Sequence, residues 1–266
     1  MNAIMSMRLF TLAGLLLALT VGLRAADAAP FTPEVGSRAE QTSDLSWGVV
    51  PDPSLPNVLL LGDSISIGYT LQVRKILQGK ANVFRPASTD GRKAVNCEGT
   101  TAGVKQIDGW LAGQKWDVIH FNWGLHDLKH VVAEGSSKNS DNPSDPVQAT
   151  TEQYSRNLDL IVGKLKATGA RLIFASTTPV APETINPPRE PDAPARYNAA
   201  ARKLMEAYGI RVNDLFALCE PQLQKLQLPR NVHFTKAGSD VLALQVAAVI
   251  EEDLAAANTD KSQFKK

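Results

Sequence analysis

Hydrophobic and polar positions along the chain fall into two alternating kinds of stretch. Five short runs are rich in apolar and β-branched residues: NVLLLG (57–62), ANVFRP (81–86), WDVIHFNWG (116–124), RLIFASTTPV (171–180) and IRVNDLF (210–216). Such runs predict strands, and the nearly uninterrupted first, third and fourth predict strands covered on both faces, as in a parallel sheet. Between them the apolar positions follow a helical period over 66–78, 100–112, 151–168, 193–208 and 236–256. In YSRNLDLIVGKL, for instance, Tyr154, Leu158, Ile161 and Leu165 fall on one helix face. Strand and helix alternating in this order predict an α/β fold, a doubly wound three-layer α/β/α sandwich on a mainly parallel five-stranded sheet.

In sheets of this kind ligands bind beyond the carboxyl ends of the strands. Two long connections emerge at that edge, a polar one at 129–149 and a proline-rich one at 181–194. Loops so placed usually shape a substrate cleft, although the Ser/Asn-rich first loop reads equally well as a tolerated surface insertion.

Residues 1–28 have a different character. A short basic start (Met1–Arg8), an uncharged apolar run of 15 residues (LFTLAGLLLALTVGL, 9–23) and the small-x-small triplet Ala26-Asp27-Ala28 fit a signal peptide cleaved near Ala28. The run is short for a membrane span, which needs roughly 18 residues or more. An exported protein, periplasmic or extracellular, without a stable membrane anchor is expected. Residues 29–56 are aperiodic and carry five prolines, which predicts an extended lead-in. Residues 57–256 form one domain, and 257–266 read as a flexible tail.

Composition narrows the partners. Residues 1–28 hold two of the 28 basic and one of the 27 acidic side chains, so 26 of each remain in the mature chain. A neutral chain argues against nucleic acid and anionic membrane surfaces, both of which attract a basic excess. There are two cysteines, Cys97 and Cys219. They either pair in an oxidising compartment or stay as buried thiols. With no CxxC spacing, a metal site is not expected, nor is any cofactor.

The candidate chemistry begins at GDSIS (62–66). Ser64 follows a strand and opens a helix, where free backbone N–H groups favour developing negative charge, but a serine there also serves as a plain helix cap. The G-x-S-x-G elbow of α/β-hydrolases is not met, because Ser66 stands where its second glycine belongs. A nucleophilic serine needs a base, and histidine is the usual one. Of the four histidines, His120 falls inside the third strand and reads as core, while His130 sits in a polar loop and reads as solvated. His126 and His233 lie in loops at strand ends, His233 just before the last helix.

Taken together, GDSIS (62–66), the glycine of NCEGTT (96–101), GLHD (124–127) and VHFT (232–235) resemble, in order and spacing, the four blocks of the SGNH, or GDSL-type, hydrolases. The resemblance spans about residues 57–255. It implies a flavodoxin-like sandwich and metal-independent serine esterase chemistry, with Ser64 as nucleophile and His233 as general base. The backbone N–H groups of Ser64 and Gly99, with a side-chain donor from the third block, are implied as the oxyanion hole. Asp63 and Asp127 are implied as supporting residues.

Two departures stand out. The third block is usually Gly-x-Asn-Asp, and here His126 occupies the donor position; Asn122 is a possible replacement donor. A neutral imidazole can donate one N–H as an asparagine does, whereas packing alone is the other reading of His126. The second departure is Arg230, which stands where the family carries its acid, three residues before the histidine. Asn231 or a backbone carbonyl is then the candidate to orient His233, and Asp214 is the other nearby carboxylate. Thr177 and Thr178 either line the acyl pocket or end the fourth strand, and Trp123 either packs or stacks on a sugar. A small-molecule or saccharide ester is the expected substrate, with acetyl groups on a carbohydrate preferred. A lysophospholipid or short-chain aryl ester, or a non-catalytic carbohydrate-binding role, are the alternatives.

Overall fold

The computed structural model describes residues 47–184 and 187–263; the predicted signal peptide and the lead-in up to residue 46 lie outside the described residues. Five parallel strands, β1 (Asn57–Leu61), β2 (Asn82–Phe84), β3 (Val118–Phe121), β4 (Arg171–Ala175) and β5 (Arg211–Asn213), form one sheet in the order β2-β1-β3-β4-β5. That is the flavodoxin-like order, whose direction of winding reverses between β1 and β3. The three-layer α/β sandwich read from the sequence is the fold observed.

Five long helices follow the strands: α1 (Ser64–Ile76), α2 (Thr100–Leu111), α3 (Thr151–Ala167), α4 (Ala193–Tyr208) and α7 (Lys236–Gln263). α1 packs on α7, and α3 packs on both α2 and α4, so the two sets cover opposite faces. Covering both faces explains the apolar runs. Val58, Leu60 and Leu61 of β1 and every residue of β3, including His120, are sealed from solvent. α1 contributes Tyr69 and Val73, and α7 contributes Leu242, Val246 and Ile250, to the same core. Each such side chain stabilises the fold by about 1.5–3 kcal/mol.

The strands are shorter than the apolar runs predicted. β3 stops at Phe121 and β4 at Ala175, yet Asn122 to Leu125 and Ser176 to Val180 stay buried, because these stretches leave the hydrogen-bonded ladder and pass beneath the carboxyl-edge loops. Apolar character reports burial, and burial continues past the ladder. The predicted strand 210–216 is likewise cut short: after Asn213 the chain turns into two short helices, α5 (Leu215–Cys219) and α6 (Leu223–Leu226), which the sequence reading lacked. At the other end α7 runs on to Gln263, so 257–263 of the predicted tail are helical.

The polar 129–149 connection is a folded element. Antiparallel bridges join His130 to Val147 and Val131 to Asn139. His130, expected to be solvated, is buried, with Nδ1 2.7 Å from the carbonyl oxygen of Asp145. The loop folds back on itself, and the imidazole satisfies a carbonyl inside it. Residues Val147 and Thr150 from this side and Glu190, Ala193 and Tyr197 from the other line a cavity of ≈ 260 Å³ between the two long connections.

Candidate functional site

The reversal of winding puts the ends of β1 and β3 side by side, and the candidate residues gather there. Asp63, not Ser64, caps α1: its Oδ1 accepts the N–H of Ile65 at 2.9 Å. The hydroxyl of Ser64 is thereby released from the capping role that the local sequence equally allowed. Ser66, the residue that spoils the α/β-hydrolase elbow, is buried and structural. Its hydroxyl donates to the carbonyl of Asp63 (2.8 Å) and accepts from Nη1 of Arg85 (2.8 Å). Nη2 of Arg85 donates to the carbonyls of Gly62 (2.8 Å) and Val95 (3.0 Å), tying the turn that carries Ser64 to the segment that leads to Gly99. Nothing in the sequence marks Arg85 for this role, since a lone arginine beyond an edge strand carries no signal of such a clamp.

His233 comes from the segment that leads into α7, the helix packed against α1. Residues 227–234 form a tight hairpin, with Gln227 bridged to Phe234 and the N–H of Leu228 donating to the carbonyl of His233 at 2.9 Å. Arg230, at the tip, takes a left-handed conformation (φ 55°) and is exposed. Its side chain therefore cannot play the part of the acid that the family carries at that position. Asn231 meets the imidazole instead: its Oδ1 lies 2.7 Å from Nδ1 and accepts the backbone N–H of His233 at 3.0 Å. On the far side of the ring, Nε2 is 2.9 Å from Oγ of Ser64.

This network fixes the tautomer. The backbone N–H can only donate, so the atom of Asn231 that faces it must be the carbonyl oxygen. That oxygen can only accept from Nδ1, which places the proton there and leaves Nε2 with a lone pair directed at the serine hydroxyl.

Gly99 and the 124–127 turn close the other flank. The N–H groups of Ser64, first residue of α1, and of Gly99, which precedes α2, have no i−4 carbonyl within their helices. A methyl group on Gly99 would come within 2.9 Å of Nε2 of Gln148 and 3.2 Å of Oδ1 of Asp127, so the chain here passes close against both side chains. Asp127 is completely buried; its Oδ1 accepts the N–H (2.8 Å) and hydroxyl (2.5 Å) of Thr100, and its carbonyl accepts the N–H of Ala149. Asp127 thus fastens the third block to the start of α2, beside Gly99. Burial pushes its pKa up to about 7, partly offset by the Thr100 bonds.

His126 is half-buried, and desolvation, with the charges of Lys129, Arg189 and His233 nearby, lowers its pKa to about 3. It is neutral across the ordinary pH range. Asn122, the other candidate donor, has its amide nitrogen bonded to the carbonyl of Ala175 (2.8 Å). Gly124 adopts φ 149° and approaches Thr177 so closely that a Cβ would stand 2.1 Å from its Oγ1. Thr177 itself donates to the carbonyl of Trp123 (3.1 Å).

The remaining candidates are structural. His120 is core as read, its Nε2 3.2 Å from Nδ2 of Asn213, and desolvation holds its pKa at about 3. Trp123 is fully buried and stacks on Trp110 at 6.4 Å, which removes it from any contact with a sugar. Asp214 caps α5 and binds Ser176 (2.9 Å) and Arg202. Cys97 and Cys219 are buried free thiols, each with its pKa raised by desolvation. Among the described residues no cluster of metal-ligating side chains occurs, and no helix is long and apolar enough to cross a membrane.

A parallel flavodoxin-like sheet with a serine and a histidine in hydrogen-bond contact at its carboxyl edge is the framework of an ester-hydrolysing enzyme. Residues 60–241 match the GDSL-like lipase/acylhydrolase family, and the chain belongs to that family. Solved structures with the same fold include an acetyl xylan esterase, AlAXEase (15% identity, covering 73% of this chain and 99% of that one, TM-score 0.57). The lipase/acylhydrolase from Enterococcus faecalis is similar at 16% identity, over 74% of this chain and 96% of that one, with a TM-score of 0.58. A variant of Axe2, an acetyl-xylooligosaccharide esterase from Geobacillus stearmophilus, matches at 16% identity, over 72% and 92%, with a TM-score of 0.55. No curated protein sequence matches the chain.

Proposed function

We propose that the chain is an exported serine esterase that removes small acyl groups, acetyl above all, from carbohydrate. The observation that carries the reading is the continuous contact from Asn231 Oδ1 to His233 Nδ1 (2.7 Å) and from His233 Nε2 to Ser64 Oγ (2.9 Å). Ser64 Oγ attacks the ester carbonyl while its proton passes to Nε2 of His233. The new C–O bond turns the carbonyl into an oxyanion, received by the N–H groups of Ser64 and Gly99 and by an N–H of neutral His126. Each such donor contributes on the order of 3 kcal/mol to the transition state. Collapse breaks the bond to the alcohol, which takes the proton from His233. A water molecule then repeats the sequence on the acyl-enzyme and frees the acid.

Asn231 takes the orienting role in place of a carboxylate, holding the ring in the reactive tautomer without a negative charge. Such an arrangement suits the short acyl esters named for two of the structural relatives, an acetyl xylan and an acetyl-xylooligosaccharide esterase. Export rests on the basic, apolar and small-residue pattern of residues 1–28.

Hydrolysis of p-nitrophenyl acetate and acetate release from acetylated xylo-oligosaccharide, by the protein and by Ser64→Ala and His233→Ala, test the proposal together. Both variants are expected to lose at least about a thousandfold in kcat, the scale on which removing triad members acts. Equal rates from all three proteins would overturn it.

A further inference from the structure

Arg189, in the proline-rich connection between β4 and α4, is only 8% exposed and forms no ion pair among the described residues. Its Nε donates to the carbonyl of Leu125 (3.0 Å) and its Nη1 to that of Pro187 (3.1 Å). Leu125 lies between Gly124 and His126, so the guanidinium is held against the turn that supplies one flank of the site. A guanidinium has five N–H groups. The two bonds to carbonyls leave both N–H groups of Nη2 and one of Nη1 without an acceptor among the described residues.

The charge stands close to the chemistry. It acts on Asp63, the residue before Ser64, and on His126, which in turn senses His233. Lys129, 6% exposed, adds a second cation: its Nζ donates to the carbonyl of Ser137 (3.2 Å) and to Oδ1 of Asn139 (2.7 Å), and its charge also reaches His126. No carboxylate pairs directly with Arg189 among the described residues: Asp63 and Asp127 are buried and bonded to Ile65 and Thr100, and Asp63 acts on the guanidinium only through its charge. Glu98 is exposed and acts on Lys129. At the position where the family carries an acid, the chain carries Arg230.

A nearly buried cation without a hydrogen-bonded carboxylate is better satisfied when an anion comes to it, and the planar fork of arginine fits a carboxylate through two parallel hydrogen bonds. We infer that the ester cleaved at Ser64 carries a carboxylate on the part of the substrate that lies against the 124–127 turn, with Arg189 as the residue that selects it. An acetylated uronic-acid saccharide has this chemistry. The inference rests on the serine esterase reading above and narrows it to acidic substrates.

The experiment compares acetate release from a mono-acetylated methyl glucuronoside with release from the same sugar whose carboxylate is converted to the primary amide. Both carry the same scissile bond, so the ratio of the two kcat/KM values reports charge selection alone. The protein is expected to favour the carboxylate by about tenfold or more, the scale of one charged hydrogen bond. In Arg189→Gln the ratio is expected to fall to about one, and in Arg189→Lys, which keeps the charge but not the fork, to an intermediate value. Damage to the loop would lower both rates and leave the ratio intact. A ratio near one in the unmodified protein, or a full ratio surviving in Arg189→Gln, overturns the inference. Should Arg189→Gln not fold, the unmodified protein still decides through its own ratio, and a value near one overturns the inference. Failure to hydrolyse even p-nitrophenyl acetate would strike the esterase reading itself, whereas hydrolysis of both sugars at one rate strikes only the charge preference.

Discussion

Replacing Asn231 with aspartate inserts one negative charge against the proposed base with almost no change in shape. Both hydrogens now directed at Oδ1 of Asn231, from the backbone N–H (3.0 Å) and Nδ1 (2.7 Å) of His233, find an acceptor in a carboxylate, so the ring stays where it is. Two unit charges about 4 Å apart interact by about 4 kcal/mol at an effective dielectric of 20. Asn231 and His233 are both half-buried, and solvent screening discounts that figure to about 1–2 kcal/mol. The stabilised species is the imidazolium, which has two opposed effects. In the resting enzyme it favours the protonated, inactive ring, so the acidic limb of the pH–rate profile moves up by about one unit. In the transition state it favours the imidazolium that forms as Ser64 attacks, so the plateau of kcat/KM rises about tenfold. Profiles of p-nitrophenyl acetate hydrolysis from pH 5 to 9 are therefore expected to coincide in acid, where the two effects cancel, and to separate in base, where Asn231→Asp climbs to a plateau about tenfold higher. Arg230→Asp is the control: its side chain is exposed at the hairpin tip, and neither limb nor plateau should move. A fall in the plateau with Asn231→Asp, or a midpoint of the acidic limb that stays put, would refute the reasoning and show that another group holds Nδ1.

Two further outcomes concern the frame of the site. Gly124→Ala forces a methyl group into contact with Oγ1 of Thr177 at a backbone angle that disfavours any side chain, so unfolding by urea is expected at a stability lower by about 2–4 kcal/mol. Asp127 keeps its proton up to about pH 7 when folded but, from its ordinary value of 3.8, releases it much earlier when unfolded. Its contribution is therefore intact below about pH 4 and is lost as pH rises towards 7, by about 4 kcal/mol in all. Asp127→Asn, which keeps an acceptor for Thr100, should remove that decline, so that the difference in stability between variant and unmodified protein shifts in favour of the variant from pH 4 to 8. Parallel stability curves would overturn the assignment of a buried, proton-holding carboxyl.

What could be read in the sequence divides along a physical line. The positions of the strands, the layer count and the placement of Ser64, Gly99, the 124–127 turn and His233 beyond strand ends follow from periodicity and local motif, which are properties of short stretches of chain. Residues whose role depends on distant neighbours could not be read that way. Arg85 holds Gly62 and Val95 together across the sheet. Arg189 comes from a connection that reads only as proline-rich, and reaches the carbonyl of Leu125, 64 residues away. His130 looked solvated because the connection that carries it is polar as a whole, yet the loop folds inward around it.

The missing acid is the instructive case, because the sequence posed the question and only the hairpin answers it. From spacing alone, position 230 is where a carboxylate should stand, and arginine there reads as a lost function. The backbone shows why position 231 serves. With Arg230 turned into the left-handed region at the tip, Asn231 starts the return strand. Its side chain closes a two-residue turn onto the N–H of His233, a habit of asparagine that needs no help from the rest of the fold. The same oxygen is then within 2.7 Å of Nδ1. One local turn therefore sets both the path of the chain and the tautomer of the ring. A neutral amide provides the orientation that an acid gives elsewhere in the family, and leaves the negative charge to be brought, on the reading of Arg189, by the substrate.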